Sequence, residues 1–169
     1  MEIRQLAEED LPRVLLVQED CYPPALLEDE ESFGCKLLLF PEGCLGVFEN
    51  GELIAYVFSH PWSSGEVVPL HASLETLPDT ADCVYIHDIA VLRSWRGQGI
   101  ADLLLTRLFD IAHSYRIVKL GLVAVNRSEP YWERYDLRRE YPLIYTEGVA
   151  ATYMTGIIRR KTANPAGHF

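Results

Sequence analysis

One stretch, Val91-Leu92-Arg93-Ser94-Trp95-Arg96-Gly97-Gln98-Gly99-Ile100-Ala101, constrains this chain more than any other. It follows an apolar run, Val84 to Leu92, that reads as a strand, and it opens a helical pattern from Gly99 to Ser114. Ala101, Leu104, Leu105, Leu108 and Ala112 recur at the spacing of a buried stripe, with Asp102, Arg107, Asp110 and His113 on the wet side. A second apolar run, Val118 to Val125, completes a strand–helix–strand unit. Glycine permits a sharp turn and leaves backbone N–H groups unscreened. The helix start adds unpaired donors and a partial positive charge, and Arg96 adds a full one. Such a loop suits phosphate. It is not a dinucleotide fingerprint, because Asp102 stands where the third glycine belongs, and no GxxxxGK[ST] run is present.

The rest of the chain surrounds this unit. Met1 to Leu6 reads as a short strand, and Glu8-Glu9-Asp10 begins a helix that ends at Cys21-Tyr22-Pro23-Pro24. A second helix runs from Glu28 to Phe40, with Phe33, Leu37 and Phe40 on one face. Cys44 to Glu49 and Glu52 to Ser59 form a hairpin through Asn50-Gly51. His60-Pro61-Trp62 then leaves the sheet for an irregular excursion up to about Asp82, of a length that often carries function. After the central unit come a short helix, Glu129 to Tyr135, and two closing strands, Leu143 to Thr146 and Ala150 to Ile158. The polar tail from about Arg159 frays. No repeat or linker divides the chain, so residues 1–169 read as one domain.

Arg96-x-x-Gly99-x-Ala101, preceded by Ile89-Ala90-Val91 and followed by an amphipathic helix, resembles the acetyl-CoA motif of the GNAT superfamily. The resemblance implies an α/β (α+β) fold: a mixed, mostly antiparallel central sheet of about six to seven strands flanked by helices. It also implies that the backbone of Arg96, Gly97, Gln98, Gly99, Ile100 and Ala101 holds the coenzyme pyrophosphate, and that Ile89, Ala90 and Val91 pair with the pantetheine arm. Asn126-Arg127-Ser128-Glu129-Pro130-Tyr131-Trp132 is similar to the second cofactor motif, giving Asn126 and Trp132 places against the coenzyme. Trp132 stands where the family often has a tyrosine acid, and Tyr135-Asp136-Leu137 replaces the usual Gly-Phe ending.

The run Tyr85-Ile86-His87-Asp88-Ile89-Ala90-Val91 is similar to the arylalkylamine (serotonin-type) N-acetyltransferases, where two histidines at i and i+2 remove a proton through water. His87 matches the second and Tyr85 replaces the first. A lone strand histidine is ordinarily a core residue, but a group near pKa 6.5 beside the cofactor motif suits deprotonation of an amine. Strand alternation puts Tyr85, His87, Ile89 and Val91 on one face and Asp88 on the other. Tyr131 is the nearest hydroxyl to the missing tyrosine, with Tyr135 and a bound water as rivals. Candidates for the acceptor side are Tyr22, Pro23, Pro24, the acidic run Glu28-Asp29-Glu30-Glu31, and His60-Pro61-Trp62.

Acetyl-CoA is then a co-substrate, no metal is needed, and direct attack by the amine is favoured, because Cys83 has no adjacent histidine to activate it. The resemblance implies as acceptor a small aromatic or polyamine-like primary amine. The alternatives are a peptide terminus or lysine, and a non-catalytic acyl-CoA-binding module. A net charge of −10 argues against nucleic acid and is compatible with a cationic partner. No apolar run reaches the roughly 20 residues of a membrane span. The N-terminal residues lack a signal-peptide pattern and the four cysteines form no CxxC pair, so reduced thiols and a cytoplasmic location are expected. The sequence leaves the oligomeric state open, a homodimer included.

Overall fold

In a computed structural model that describes residues 1–159, the elements run β1 (Glu2–Gln5), α1 (Leu11–Cys21), α2 (Glu30–Leu39), β2 (Cys44–Glu49), β3 (Glu52–Trp62), β4 (Cys83–Val91), α3 (Ile100–Ser114), β5 (Lys119–Ala124), α4 (Glu129–Glu133), β6 (Arg138–Thr146) and β7 (Val149–Ile157). The seven strands form one sheet in the order β1-β2-β3-β4-β5-β7-β6. β4 and β5 pair in parallel through the α3 crossover, and the other neighbours are antiparallel. This is the mixed, mostly antiparallel α/β sheet expected. The predicted tail lies outside the described residues, apart from Arg159.

Local chemistry explains the boundaries. α1 stops at Tyr22, which is extended and followed by two prolines that cannot continue a helix. α2 starts where the Asp29 carboxylate accepts the Ser32 N–H at 2.9 Å. The β2–β3 hairpin turns through Asn50 and Gly51, both at positive φ, as a tight two-residue turn requires.

Two apolar layers cover the sheet. On one face α3 lays Leu104, Leu105, Leu108 and Ala112 against Val57, Val84, Ile86, Leu120 and Leu122. On the other, α1 and α2 bring Val14, Val17 and Phe33 against Phe48, Tyr56, Phe58 and Ala90.

The sheet differs from expectation in three places. β3 does not stop at Ser59; His60, Pro61 and Trp62 stay in it, opposite Tyr85, Val84 and Cys83. Beyond Phe58, β3 has outrun β2 and presents a free edge, and there Pro61 costs no ladder bond. β6 begins at Arg138 rather than Leu143. It is an outer strand with exposed side chains, so its pairing leaves no hydrophobic alternation to read.

The third difference shapes the site. Phe58 pairs with Asp88 but Ser59 pairs with Ile86, which leaves His87 as an extra residue in β4. Such a bulge reverses the alternation beyond it. Val84, Ile86, Ile89 and Val91 therefore pack towards α3, whereas Tyr85 and His87 share the opposite side with Asp88 and Ala90. The single face of Tyr85, His87, Ile89 and Val91 predicted by strict alternation does not exist.

Two glycines give stability tests of opposite sign. A Cβ on Gly156 of β7 would lie 2.8 Å from the Asp136 carbonyl oxygen and 3.0 Å from the Leu137 Cα, both backbone. Gly156→Ala should cost about 1–3 kcal/mol, a fall of roughly 3–10 °C in Tm. Gly34, inside α2, would meet nothing closer than Leu11 Cδ1 at 3.7 Å, so Gly34→Ala should stabilise by about 0.5–1 kcal/mol. Urea or thermal melts of both variants check the pair.

Candidate active site

β4 and β5 pair only through Val84–Leu120, Tyr85–Gly121 and Ile86–Leu122. Beyond Ile86 the strands part, while β4 stays paired to β3 as far as Val91. The gap is a cleft of about 810 Å³. Its walls include the β4 segment His87 to Val91, the β5 end at Val123, Val125 and Asn126, the loop before α3, and Tyr131 and Trp132 of α4. The Leu92 N–H bonds the Ile54 carbonyl of β3 at 3.0 Å and sets the phase of that ladder. In an antiparallel pair, alternate residues turn their backbone groups away from the partner. Ile89 and Val91 therefore point theirs at the gap. Their carbonyls already have partners: Ile89 O shares the single Tyr22 hydroxyl proton, at 2.8 Å, with Asp88 Oδ1 at 2.6 Å, and Val91 O accepts from Arg96 Nε at 3.1 Å and Cys21 Sγ at 3.2 Å. The side chain of His87 has no exposed surface although residues 87–89 are half-buried, so at His87 it is the backbone that faces the opening.

The glycine loop closes one end of the cleft. Gly97 and Gly99 both have φ of +77°, a region that costs other residues. A Cβ on either would meet nothing within 4 Å, so open space lies beside both backbones. Gly99 is the residue before α3, whose first N–H groups face that space. Trp95, Arg96, Gly97, Gly99, Ile100 and Ala101 line the cleft together with Ile89, Ala90, Val91, Asn126 and Trp132. Gln98 is exposed and stands outside the lining. The cleft thus has backbone donors at its glycine-loop end and the Ile89 and Val91 N–H groups along its middle. The Trp132 ring is 6% exposed and packs in the α3 core, so it backs the wall more than it faces it.

His87 sits at the bulge. Its Nε2 lies 2.5 Å from Glu28 Oε1, and Nδ1 is buried with no hydrogen-bond partner among the described residues. Glu28 Oε2 accepts from Ser32 Oγ at 2.6 Å and from the His71 N–H at 2.8 Å. Burial opposes ionisation of Glu28, yet the bond from His87 and the charge that ring carries when protonated, then the Ser32 bond and the Lys36 charge, bring it down to about 2. Lys36 is fully buried, which pulls its ammonium downward, and Nζ donates to Ser32 O, Ser32 Oγ and Ala72 O at 2.8, 3.0 and 3.2 Å.

Asp88 lies between two phenols: the Tyr22 hydroxyl reaches Oδ1 and Tyr56 donates to Oδ2, each at 2.6 Å. Burial raises Asp88, and the two hydroxyls oppose that rise. Tyr131 lines the cleft, its hydroxyl 3.5 Å from that of Tyr135. Burial first, then the Asp102 charge, pushes Tyr131 up to about 12, so it stays protonated.

The acidic run divides. Glu28 turns inward to His87, Asp29 caps α2, and Glu30 and Glu31 are exposed. Of the acceptor-side candidates, Tyr22 lines the cleft, whereas His60 and Trp62 pack with Tyr85 away from it. Sequence reasoning missed Leu26, Leu70 and Tyr145 as cleft residues and Glu28 as the partner of His87. Only the bulge and the folding back of the 63–82 segment bring these together, and neither leaves a periodic signal. All four cysteines are free thiols, with Cys44 and Cys83 pushed up to about 12 by burial. Among the described residues no group of three or more His, Cys, Asp or Glu is placed to hold a metal ion, and no helix is long and apolar enough to cross a membrane.

Comparison with known proteins agrees with this geometry. The crystal structure of Ard1 from Thermoplasma volcanium has the same fold, with a TM-score of 0.76 at 13% identity over 94% of this chain and 97% of that one. An uncharacterized N-acetyltransferase of Bacillus subtilis (strain 168), YkwB, is 26% identical over 133 residues; the match covers 70% of this chain but only 58% of that protein's length. The serotonin N-acetyltransferase of Homo sapiens is 26% identical over 160 residues, 90% of this chain and 74% of that one. The model of the acetyltransferase (GNAT) family matches residues 2–141, most of the sheet and the whole of the cleft's glycine loop, and the chain belongs to that family.

Proposed function

We propose that this protein transfers an acetyl group from acetyl-CoA to the primary amine of a small molecule. The observation that carries the reading is the parting of β4 from β5 at a bulged histidine, in a cleft that runs to two left-handed glycines at a helix start. The thioester supplies an activated acetyl group; the chain supplies position, donors and a base. Amide N–H groups of residues 96 to 101 and the Arg96 charge meet the pyrophosphate. The N–H groups of Ile89 and Val91, facing the gap, pair with the pantetheine arm. Backbone exposed at His87 to Ile89 is placed to steady charge on the carbonyl oxygen.

The amine arrives as an ammonium and must lose a proton before its nitrogen can attack the carbonyl carbon. His87 takes that proton; with its ring enclosed, the transfer runs through water. The new C–N bond forms as the C–S bond breaks. The nitrogen's second proton is released, one proton ends on the thiolate, and Tyr131 donates a hydrogen bond to the sulfur. Protonated amine and acetyl-CoA thus give amide, coenzyme A and one free proton.

A small acceptor is favoured over a peptide because the 63–82 segment roofs the acceptor end from both sides. The Tyr145 hydroxyl donates to Val68 O and the Tyr141 hydroxyl to Gly65 O, each at 3.1 Å, while His71 N and Ala72 O are held by Glu28 and Lys36. Leu70 of the same segment lines the cleft. A peptide needs an open groove; this arrangement makes a pocket. The thioester chemistry, the four free thiols and the acidic composition suit a cytoplasmic setting.

Turnover read by thiol release across a panel of arylalkylamines, polyamines and N-terminal peptides tests the reading: small amines should be acetylated and peptides not. Activity confined to peptides would refute it. His87→Ala should lower kcat by about 10²–10⁴-fold and abolish the acidic limb of the pH–rate profile, with coenzyme affinity kept. An unchanged profile removes His87 as the base. Gly99→Val should weaken acetyl-CoA binding by tenfold or more, about 1.4 kcal/mol, measured by calorimetry on protein confirmed folded by circular dichroism. Unchanged affinity would move the phosphate site elsewhere.

A further inference from the structure

We propose that Glu28 is the positioning residue for His87: it holds the imidazole with its proton on Nε2 and leaves the Nδ1 lone pair as the proton acceptor. The inference rests on the reading of His87 as the base. A neutral imidazole has one N–H and one lone pair, and the partner of one nitrogen decides which is which. Here the decision is local. Glu28 Oε1 lies 2.5 Å from Nε2, and an ionised carboxylate can only accept. Nδ1 has no partner among the described residues. Both side chains are almost sealed from solvent, at 0% and 3% exposure, where such a bond is stronger than in water.

The carboxylate is itself held. Ser32 Oγ and the His71 N–H fix Oε2, and Lys36 Nζ donates to Ser32 Oγ, so a chain of donors runs from α2 through Ser32 to Glu28 and His87. Other titratable groups face the pair from every packed element: Lys36 from α2, His60 from β3, Tyr85 and Asp88 from β4, and Tyr145 from β6. His60 is buried and pulled down to about 4, and therefore neutral near pH 7, and the phenols of Tyr85 and Tyr145 are raised by burial. Burial raises Asp88 too, and its carboxyl is engaged by two other phenols. Glu28 is thus the one of these groups both ionised near neutral pH and bonded to the ring. Its carboxyl is held at about 2, below the ordinary 4.5, in part by the charge the ring carries once protonated at acid pH. The stabilising bond is therefore fully present above about pH 4.5 and fades only as pH falls towards 2, outside any working range.

When the amine loses its proton, that proton forms a new N–H bond at Nδ1, and the resulting imidazolium is balanced by the Glu28 carboxylate across Nε2. The proton then leaves to water as the ring returns to its starting tautomer. Glu28 touches no reacting atom; its effect is through His87.

Long-range ¹H–¹⁵N correlation spectra of histidine-labelled wild-type protein read the tautomer directly, and with five histidines in the chain a His87→Asn spectrum assigns the signal. The expected result is a neutral His87 with its proton on Nε2 near pH 7.5. A proton on Nδ1, or a fully protonated ring there, overturns the assignment without any variant being needed. In Glu28→Gln the amide can offer either oxygen or NH₂, so the tautomer signal should become mixed. That variant should lower kcat by about 10²-fold or more, leave KM for acetyl-CoA within about twofold, and move the acidic limb to lower pH. Wild-type kcat and an unmoved limb refute the role. If the tautomer is as expected but His87→Ala turns over normally, the grip of Glu28 stands and the base assignment fails, so the two ideas are separable.

Discussion

The extra residue in β4 is the constraint on which the site depends. Without it, the α3 face would claim every second side chain from Val84 to Ala90, Asp88 among them. With it, Asp88 joins His87 on the α1–α2 side, and Ile89 and Val91 return to the α3 side. Ladder bonds to β3 hold the bulged strand firmly, while pairing to β5 ends after three residue pairs. An exposed strand edge is ordinarily a hazard. In this family member it faces inward, into a cleft, where a linear ligand can complete the ladder.

Polar burial follows from the same turn. A histidine placed inside the α1–α2 side must find a partner, and Glu28 provides it at the entry to α2. A buried carboxylate in turn needs donors, and Ser32, the His71 N–H and the neighbouring Lys36 surround it. Unpaired charges in such a place are strongly destabilising, whereas a fully satisfied network is rigid. Because His71 and Ala72 belong to the 63–82 segment, that network also pins this segment beside the cleft. Tyr145 and Tyr141 pin it from the far side. One set of hydrogen bonds therefore holds both the His87 ring and the 63–82 segment.

Much of this was legible in the sequence where periodicity or glycine chemistry speaks. The strand–loop–helix–strand unit, the Asn50-Gly51 hairpin and the α3 stripe follow from spacing alone, and the glycine loop lies where its composition put it. The limits have physical causes. A bulge adds one residue without any compositional mark, so strict alternation misplaced Ile89 and Val91 relative to His87. Glu28 read only as one member of an acidic run on the acceptor side, because its neighbours in space, His87 and Ser32, are what distinguish it from Glu30 and Glu31. β6 escaped its true start because an outer strand held by backbone bonds needs no apolar face. Leu70 and Tyr145 became cleft residues through tertiary folding of segments with no regular pattern.

The claim at the centre of this account is that the parted strands and the two-glycine loop form a site for acetyl-CoA. A thermal melt with and without it is the most direct test. At about 100 times its Kd the ligand should stabilise the protein by about 2.7 kcal/mol. For a chain of this size that is a rise of roughly 5–10 °C in Tm. The account predicts such a rise with acetyl-CoA and none with NAD or ATP at the same concentration. No shift with acetyl-CoA at millimolar concentration would mean that the loop is only a turn and that the cleft serves something else.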